Sequence, residues 1–156
     1  MARIDYYDDP SAPTPNSVVP AAVACITDDE GRILLEHRVD NDLWALPGGT
    51  HDFGESIVET VVREVREETG LDVEVTGLVG IYTDPKHVIA YTDGEVRQQF
   101  TLSFRCRVLG GTLEKDSESQ ELRWVARDEL DGLSIHPSMR KRIDHFLDRR
   151  AEPYLG

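Results

Sequence analysis

The chain has 156 residues and a formal net charge of −13. This length fits one domain, which buries roughly 70 % of the surface that the unfolded chain exposes. The acidic excess argues against non-specific binding of nucleic acid, which needs Lys and Arg side chains to neutralise phosphates. It would also repel a nucleotide, so such a substrate needs bound cations or local basic side chains in order to dock.

The cysteine content and the apolar runs bear on the compartment. Cys25 and Cys106 lie in predicted apolar strands without a CxxC spacing, so we expect two reduced thiols in the core. The N-terminus lacks the apolar region of a signal peptide. The sequence also has no apolar run long enough to span a membrane. We therefore expect a cytoplasmic protein that does not enter a membrane.

The first part of the chain is predicted to form an arm and three strands. Residues 1–17 contain three prolines among short polar side chains. They predict an extended or disordered N-terminal arm, which could also cross a partner subunit. Apolar runs over 18–27 and 32–38, separated by an acidic turn that ends at Gly31, predict a β-hairpin. Residues 43–46 predict a short strand before a Pro-Gly-Gly loop.

Residues 49–71 carry the most specific pattern, GTHDFGESIVETVVREVREETGL. Ser56 is followed three residues later by Glu59, which is a capping box and predicts a helix that begins at about Ile57. Gly70 suits the position just after a helix, where a positive φ is usual.

This helix is predicted to have an apolar face and an acidic face. Helical spacing relates four valines that would pack on the core: Val58, Val61, Val62 and Val65. Glu64, Glu67 and Glu68 lie on two adjacent turns, where like charges repel and cost helix stability. A divalent cation would remove this conflict, because Mg²⁺ and Mn²⁺ prefer carboxylate oxygens. The alternative is a solvated acidic face with a purely structural role.

Turn residues separate the remaining elements. Asp93 and Gly94 give a strong short signal for the turn of a hairpin. In chain order we predict a strand over 71–82 with bulges at Gly77 and Gly80, hairpin strands over 87–91 and 95–109, a strand over 121–126, a helical turn over 127–130 and a terminal helix over 137–149. This order favours an α/β domain over 18–150 that has a mixed sheet with helices on both faces, followed by a tail over 151–156.

The pattern of residues 49–71 resembles the signature box of the Nudix hydrolases, and every specified position of that box is filled. The run LWALPGG over 43–49 also resembles the strand and loop that precede the box in this family. The resemblance implies a Nudix-type α/β/α sandwich. It also implies metal-dependent hydrolysis of a phosphoanhydride in a nucleoside diphosphate linked to another moiety, X. The products would be a nucleoside monophosphate and phosphorylated X, or pyrophosphate from a triphosphate.

The resemblance also implies roles for single residues. The family's metal-binding positions, for Mg²⁺ or Mn²⁺, fall on the carbonyl of Gly48 and on the carboxylates of Glu64, Glu67 and Glu68. One of these glutamates would deprotonate the attacking water. Arg63 and Glu55 match residues that orient the carboxylates.

Outside the box the candidates are weaker. Members of the family often take a further acidic ligand or base from the loop before the predicted strand that carries Trp124. Glu118 is the first candidate and Glu121 the second, although both could be solvated loop acids. Pro85 lies fifteen residues after Gly70 and favours an enzyme of the ADP-ribose type, but an Asp-Pro turn explains it equally well.

Several side chains are candidates for substrate contact. Aromatic rings can stack on a base and Arg can bind a phosphate, which makes the candidates Phe53, Tyr82, Arg97 and Gln99. The five histidines have no spacing typical of a metal site. The sequence leaves X open. ADP-ribose-like sugars, nucleoside triphosphates and choline-type conjugates all remain.

The sequence leaves one alternative function open and also bears on the assembly of the protein. The domain could be a nucleotide-binding or sensor module without turnover, in which case we would expect a degraded box. The long strands and the N-terminal arm would suit a homodimer.

Overall fold

The structure is a computed structural model of the chain and describes residues 2–156. Helix α1 spans Ile57–Thr69 and helix α2 spans Pro137–Leu147, with a 3-10 helical turn at Arg127–Gly132 before α2. The strands are β1 Arg3–Tyr7, β2 Ser17–Val18, β3 Ala21–Ile26, β4 Ile33–Arg38, β5 Trp44–Ala45, β6 Gly48–Thr50, β7 Leu71–Tyr82, β8 His87–Tyr91, β9 Val96–Gln98, β10 Thr101–Gly111, β11 Ser119–Val125 and β12 Tyr154–Leu155.

The strands form three sheets, and the central one is a mixed five-stranded sheet. This central sheet has the order β12-β7-β10-β3-β6, in which β10 pairs antiparallel with β7 and parallel with β3. A second sheet has the order β1-β8-β9-β2, and a third has the order β11-β4-β5. Within residues 2–156 no helix has the length and apolar character that a membrane crossing requires.

The two helices cover opposite faces of the central sheet. Successive side chains of a strand point to opposite faces, and the apolar run of β3 therefore feeds two cores. Ala22 and Ala24 of β3 pack with Val61 of α1, whereas Val23 of β3 packs with Ile143 of α2. These two apolar layers give the α/β/α sandwich with a mixed sheet and confirm the predicted fold class.

Helix α1 begins and ends as its sequence predicts. The Ser56 hydroxyl accepts from the Glu59 amide and the Glu59 carboxylate accepts from the Ser56 amide, so the capping box is complete. Gly70 follows the helix with φ of 75°. The predicted faces need correction at two positions. Val58 in the first turn is 43 % exposed, whereas Glu68 is only 3 % exposed and belongs to the buried face.

Two predicted hairpins pair differently in the structure. The strands β3 and β4 share the turn that ends at Gly31 and one bridge between Thr27 and Ile33, and then enter different sheets. The predicted hairpin is therefore wrong beyond that bridge, because β10 and β6 already occupy both edges of β3. The hairpin at Asp93 and Gly94 is confirmed for β8 and β9, but the chain then leaves that sheet and β10 joins the central one.

The chain ends also form strands. The predicted extended or disordered arm over 1–17 contains β1, which pairs antiparallel with β8 of the same chain. Met1, the first residue of that arm, lies outside the described residues. The tail over 151–156 contains β12, which pairs with β7 and was not predicted.

Candidate active site

Helix α1 lies close to the backbone of β6 at Gly48 and Gly49. The carboxylate of Glu68 accepts a hydrogen bond from the amide of Gly48 at 2.9 Å. A Cβ added at Gly49 would lie 2.5 Å from the carboxyl carbon of Glu64, a distance that real Cβ atoms do not show. Gly49 is therefore needed because Glu64 lies directly against its backbone, whereas a Cβ at Gly48 would meet Ala22 and Val23 of β3 instead.

Arg63 links the acidic side chains of the helix to each other. Its Nε and Nη2 donate to the two oxygens of Glu55 at 2.5 and 3.0 Å. Its Nη1 donates to Glu64 at 2.9 Å and to Glu67 at 3.2 Å. The hydrogen bond from Arg63 lowers the pKa of Glu55. One guanidinium thus partly neutralises and orients three carboxylates.

A buried glutamate that the sequence reasoning missed lies beside Glu68. Glu36 of β4 is 2 % exposed and accepts hydrogen bonds from Ser119 Oγ at 3.1 Å and from Arg38 at 3.2 Å. Its carboxyl group also contacts that of Glu68. Burial raises the pKa of Glu36, and burial together with the negative charge of Glu36 raises the pKa of Glu68. The available signal was an acid directly after the apolar run Ile33–Leu35 in a predicted strand, since Glu is almost never fully buried without a partner.

The oxygen donors at this place fit a divalent cation. Glu64, Glu67 and Glu68 offer carboxylate oxygens, the ligand type that Mg²⁺ and Mn²⁺ prefer. The contact between Glu36 and Glu68 places two acids together away from water, an arrangement that a proton or a cation must stabilise. The donor set and its charge therefore fit a divalent cation.

A cavity of about 330 Å³ opens beside these glutamates. Glu64 and Glu68 line it, and the exposed side chain of Glu118 lines it as well. Glu121, the second candidate for an acid outside the box, pairs instead with Arg123 at 3.0 Å. Four arginines also line the cavity, namely Arg3, Arg38, Arg97 and Arg142. A negative field at the glutamates and basic side chains in the same cavity suit a phosphate-bearing substrate that is bound together with cations.

The four candidate substrate contacts have different places in the structure. Arg97 and Gln99 line the cavity, and Arg97 lies over the ring of Tyr91 while pairing with Glu95 at 2.6 Å. Phe53 is fully exposed at 102 % and does not line the cavity. Tyr82 is buried, and its hydroxyl lies 2.8 Å from Nδ1 of His145, also away from the cavity.

A second polar cluster joins three distant parts of the chain. Asp5 of β1, His87 of β8 and His136 at the start of α2 each place one oxygen or nitrogen atom within 4.8 Å of the others. Although burial raises the pKa of Asp5, the hydrogen bond with His87 and the charge of Arg3 hold it well below its usual range. Burial lowers the pKa of His136 to about 4. The sequence contained no signal for this cluster, because the topology alone brings the three residues together.

Comparisons with known proteins agree with the geometry. The family model described as NUDIX domain matches residues 18–148. A MutT-like protein of Streptomyces ambofaciens is 37 % identical over 120 residues, which cover 77 % of this chain and 70 % of the relative. An ADP-ribose pyrophosphatase of Methanocaldococcus jannaschii is 34 % identical over 122 residues, covering 73 % of this chain and 66 % of the relative. The crystal structure of an ADP-ribose pyrophosphatase from Streptococcus suis superposes with a TM-score of 0.68 at 26 % identity, covering 89 % of this chain and 98 % of that one.

Proposed function

The chain belongs to the NUDIX family and is a Nudix hydrolase, and on that premise we propose that Glu64, Glu67 and Glu68 form the divalent metal site with which it cleaves a phosphoanhydride. The substrate is a nucleoside diphosphate linked to X. The observation that carries this proposal is the convergence of Glu64, Glu68 and the Gly48 backbone on one cavity, while the more exposed Glu67 shares Arg63 with Glu64.

The metal site takes its ligands from the carboxylates of the three box glutamates and from the carbonyl of Gly48. We propose Mg²⁺ or Mn²⁺ as the ion. When bound, such ions neutralise the negative charge that builds up on the phosphoanhydride oxygens in the transition state. The family uses divalent metals, and the oxygen-only donor set of this chain fits that chemistry.

Each surrounding residue then has a task. The amide of Gly48 fixes one oxygen of Glu68, and Arg63 holds Glu64 and Glu67 in position through hydrogen bonds of 2.9 and 3.2 Å. One of the box glutamates accepts the proton of the attacking water, and Glu118 supplies the further acidic ligand or base from the cavity wall. Arg63 is thus a positioning residue, because it acts through the carboxylates it contacts.

The rest of the cavity selects the substrate. We propose that Arg97 and Gln99 contact it, because both side chains line the cavity. An ADP-ribose-like X is favoured by Pro85 and by the names of two relatives, both ADP-ribose pyrophosphatases. A nucleoside triphosphate, which would yield pyrophosphate, is the second candidate, and a nucleotide sensor without turnover is the alternative from another class.

Cellular context completes the proposal. We propose a cytoplasmic enzyme with its hydrolase domain over residues 18–150, acting on a small nucleotide and not on nucleic acid. We also propose a homodimer, since strand β1 lies at the edge of its sheet and offers that edge to a second copy. Light scattering would measure the mass of the purified protein in solution at several concentrations. A monomeric mass at every concentration would refute the dimer.

A product screen tests the enzymatic proposal. The protein is incubated with Mg²⁺ or Mn²⁺ and with ADP-ribose, 8-oxo-dGTP, ordinary dNTPs, NADH and CDP-choline, and the products are separated by chromatography. We expect one compound to be cleaved well above the rest, and cleavage to be abolished by EDTA and by Glu68→Gln. The matched control is Glu121→Gln, which changes a glutamate outside the cavity. If no compound is cleaved while a nucleotide still binds to the protein, the hypothesis of a nucleotide sensor without turnover replaces the enzymatic one.

A further inference from the structure

Two residues of the cavity wall, His87 and Arg142, and His136 stacked against His87 contain buried polar atoms without partners. Counting residues 2–156, the buried side-chain atoms that lack a hydrogen-bond partner are His87 Nδ1, His136 Nε2 and Arg142 Nε. His87 and Arg142 line the cavity, and the ring of His136 stacks on that of His87 with 4.0 Å between centroids. We call this group the Arg142 recess. Such atoms are rare in native proteins, so each calls for a partner from outside the chain.

Arg142 also lacks a counter-charge. It is 2 % exposed, and its hydrogen bonds go to Ser138 Oγ at 3.1 Å and to the Met139 sulfur at 3.8 Å. No carboxylate among the described residues forms an ion pair with it. The other three arginines of the cavity are all paired, Arg3 with Asp5, Arg38 with Asp40 and Arg97 with Glu95. A buried charge is unfavourable unless something neutralises it, so Arg142 is the one cavity arginine in the described chain that awaits an anion.

The hydrogen-bond network fixes which atoms of the recess donate. The carboxylate of Asp5 can only accept, so the proton of neutral His87 lies on Nε2, 3.2 Å from Asp5. Nδ1 of His136 accepts from the Ser138 amide at 3.1 Å, so the His136 proton lies on Nε2. The unpartnered Arg142 Nε and His136 Nε2 are therefore both donors. His87 Nδ1 is then a lone-pair acceptor, so the feature of the cavity wall that suits a partner with negative charge is the charged donor Arg142.

We propose that the Arg142 recess binds an oxyanion of the substrate, a phosphate or a carboxylate, separate from the phosphoanhydride that is hydrolysed. ADP-ribose itself has no such group, so the recess favours a nucleoside triphosphate or an ADP-ribose-like X that carries a further phosphate or carboxylate. The inference rests on the proposed function, since it assigns part of the same substrate cavity. Arg142 belongs to α2, whereas the metal-binding glutamates belong to α1 on the opposite face of the central sheet. The substrate would therefore place its phosphoanhydride beside α1 and its second oxyanion beside α2. A cation among Asp5, His87 and His136 is disfavoured, because Arg3 and Arg142 place positive charge beside all three.

The test measures thermal unfolding in EDTA, so that the glutamate site and hydrolysis play no part. Two matched pairs of probes are used: ribose 5-phosphate against ribose for a phosphate, and glucuronate against glucose for a carboxylate. The variants are Arg142→Met and, as control on the same helix, Arg140→Met, which removes an arginine paired with Asp131 and Asp144 outside the cavity.

We expect one anionic probe to raise the melting temperature of the wild type and of Arg140→Met, whereas its neutral partner does not. Arg142→Met should lower the affinity for that probe roughly 10- to 100-fold. Without a probe it should melt a few degrees higher than the wild type, because it removes an unpaired buried charge. The responding pair identifies the oxyanion as phosphate or carboxylate.

Three results would overturn the proposal: no response to either anionic probe, an equal response in Arg142→Met, or equal responses to charged and neutral partners. Arg142→Gln, which retains hydrogen-bonding atoms without the charge, replaces the methionine variant if that does not fold. A rise with Zn²⁺ in the absence of EDTA that His136→Ala abolishes would assign the recess to a cation instead. Hydrolysis with Mg²⁺ is measured separately, so failure here leaves the proposed function standing.

Discussion

Glu36 and Glu68 place two carboxyl groups in contact where water is excluded, with exposures of 2 % and 3 %. Replacing Glu36 by Gln removes one acid while preserving the shape of the side chain and an oxygen that can accept from Ser119. Arg38 keeps its two hydrogen bonds to Asp40, at 2.7 and 2.8 Å. We therefore expect metal-free Glu36→Gln protein to be more stable than the wild type at neutral pH.

The sign and size follow from the two acids. Burial raises the pKa of Glu36 above the ordinary value of 4.5, and burial together with the charge of Glu36 raises that of Glu68. The folded protein then holds protons that the unfolded chain releases, so the free energy of unfolding falls as pH rises through and above 4.5. Each unit of pKa difference corresponds to about 1.4 kcal/mol. If the substitution removes one unit of this difference, the melting temperature rises by roughly 3–6 °C for a chain of this size.

The assay is thermal unfolding by circular dichroism in EDTA at several values from about pH 5 to about pH 8, a range in which the unfolded chain has released protons that the folded protein still holds. The wild type should lose stability towards pH 8, and the variant should lose less. Adding Mn²⁺ should raise the melting temperature of the wild type more than that of the variant, because a bound cation relieves the repulsion between the acids. Glu121→Gln, at an exposed ion pair, serves as control. A variant that melts below the wild type at pH 8 without metal would refute this reasoning.

Three further predictions concern the box helix and its loop. Glu68→Gln should lower turnover roughly 10²- to 10³-fold, by analogy with the loss of one group that stabilises transition-state charge, while circular dichroism shows an intact fold. Gly49→Ala should weaken Mn²⁺ binding in calorimetry, because its Cβ would displace the Glu64 carboxylate that lies 2.5 Å away; unchanged affinity would contradict the close approach. Val65→Ala should lower the free energy of unfolding in urea by about 2 kcal/mol, because Val65 is fully buried, whereas exposed Val58→Ala should change it by less than about 0.5 kcal/mol.

The features that the sequence predicts best are those that depend only on residues a few positions apart in the chain. The start of α1 follows from Ser56 and Glu59, and its end from Gly70, because each forms its hydrogen bonds within four residues. Register shifts between β7 and β10 occur beside Gly77 and Gly80, where a bulge needs little side-chain room.

Features that depend on the order of strands in the sheets could not be predicted in this way. The partner of Glu68 is Glu36, and only the position of β4 beneath α1 brings the two together. The Arg142 recess similarly needs β8 and α2 to meet. The sequence pattern also predicted that β4 pairs with β3, because local signals do not show that β6 and β10 occupy both edges of β3. Local signals thus locate the box, whereas the cavity wall that selects X is a product of topology.

The charge of the chain acquires a structural meaning at this cavity. A net charge of −13 repels an anionic substrate at long range, yet four arginines line the place where that substrate must lie. Acidic neighbours hold three of them in fixed positions, with separations of 3.1, 2.7 and 2.6 Å for the pairs Arg3–Asp5, Arg38–Asp40 and Arg97–Glu95. Donors held in place lose less conformational entropy on binding than mobile ones. The acids beside the arginines therefore hold the cavity rigid and also reduce its positive charge. The positive charge that attracts the substrate would then come from bound cations and from Arg142.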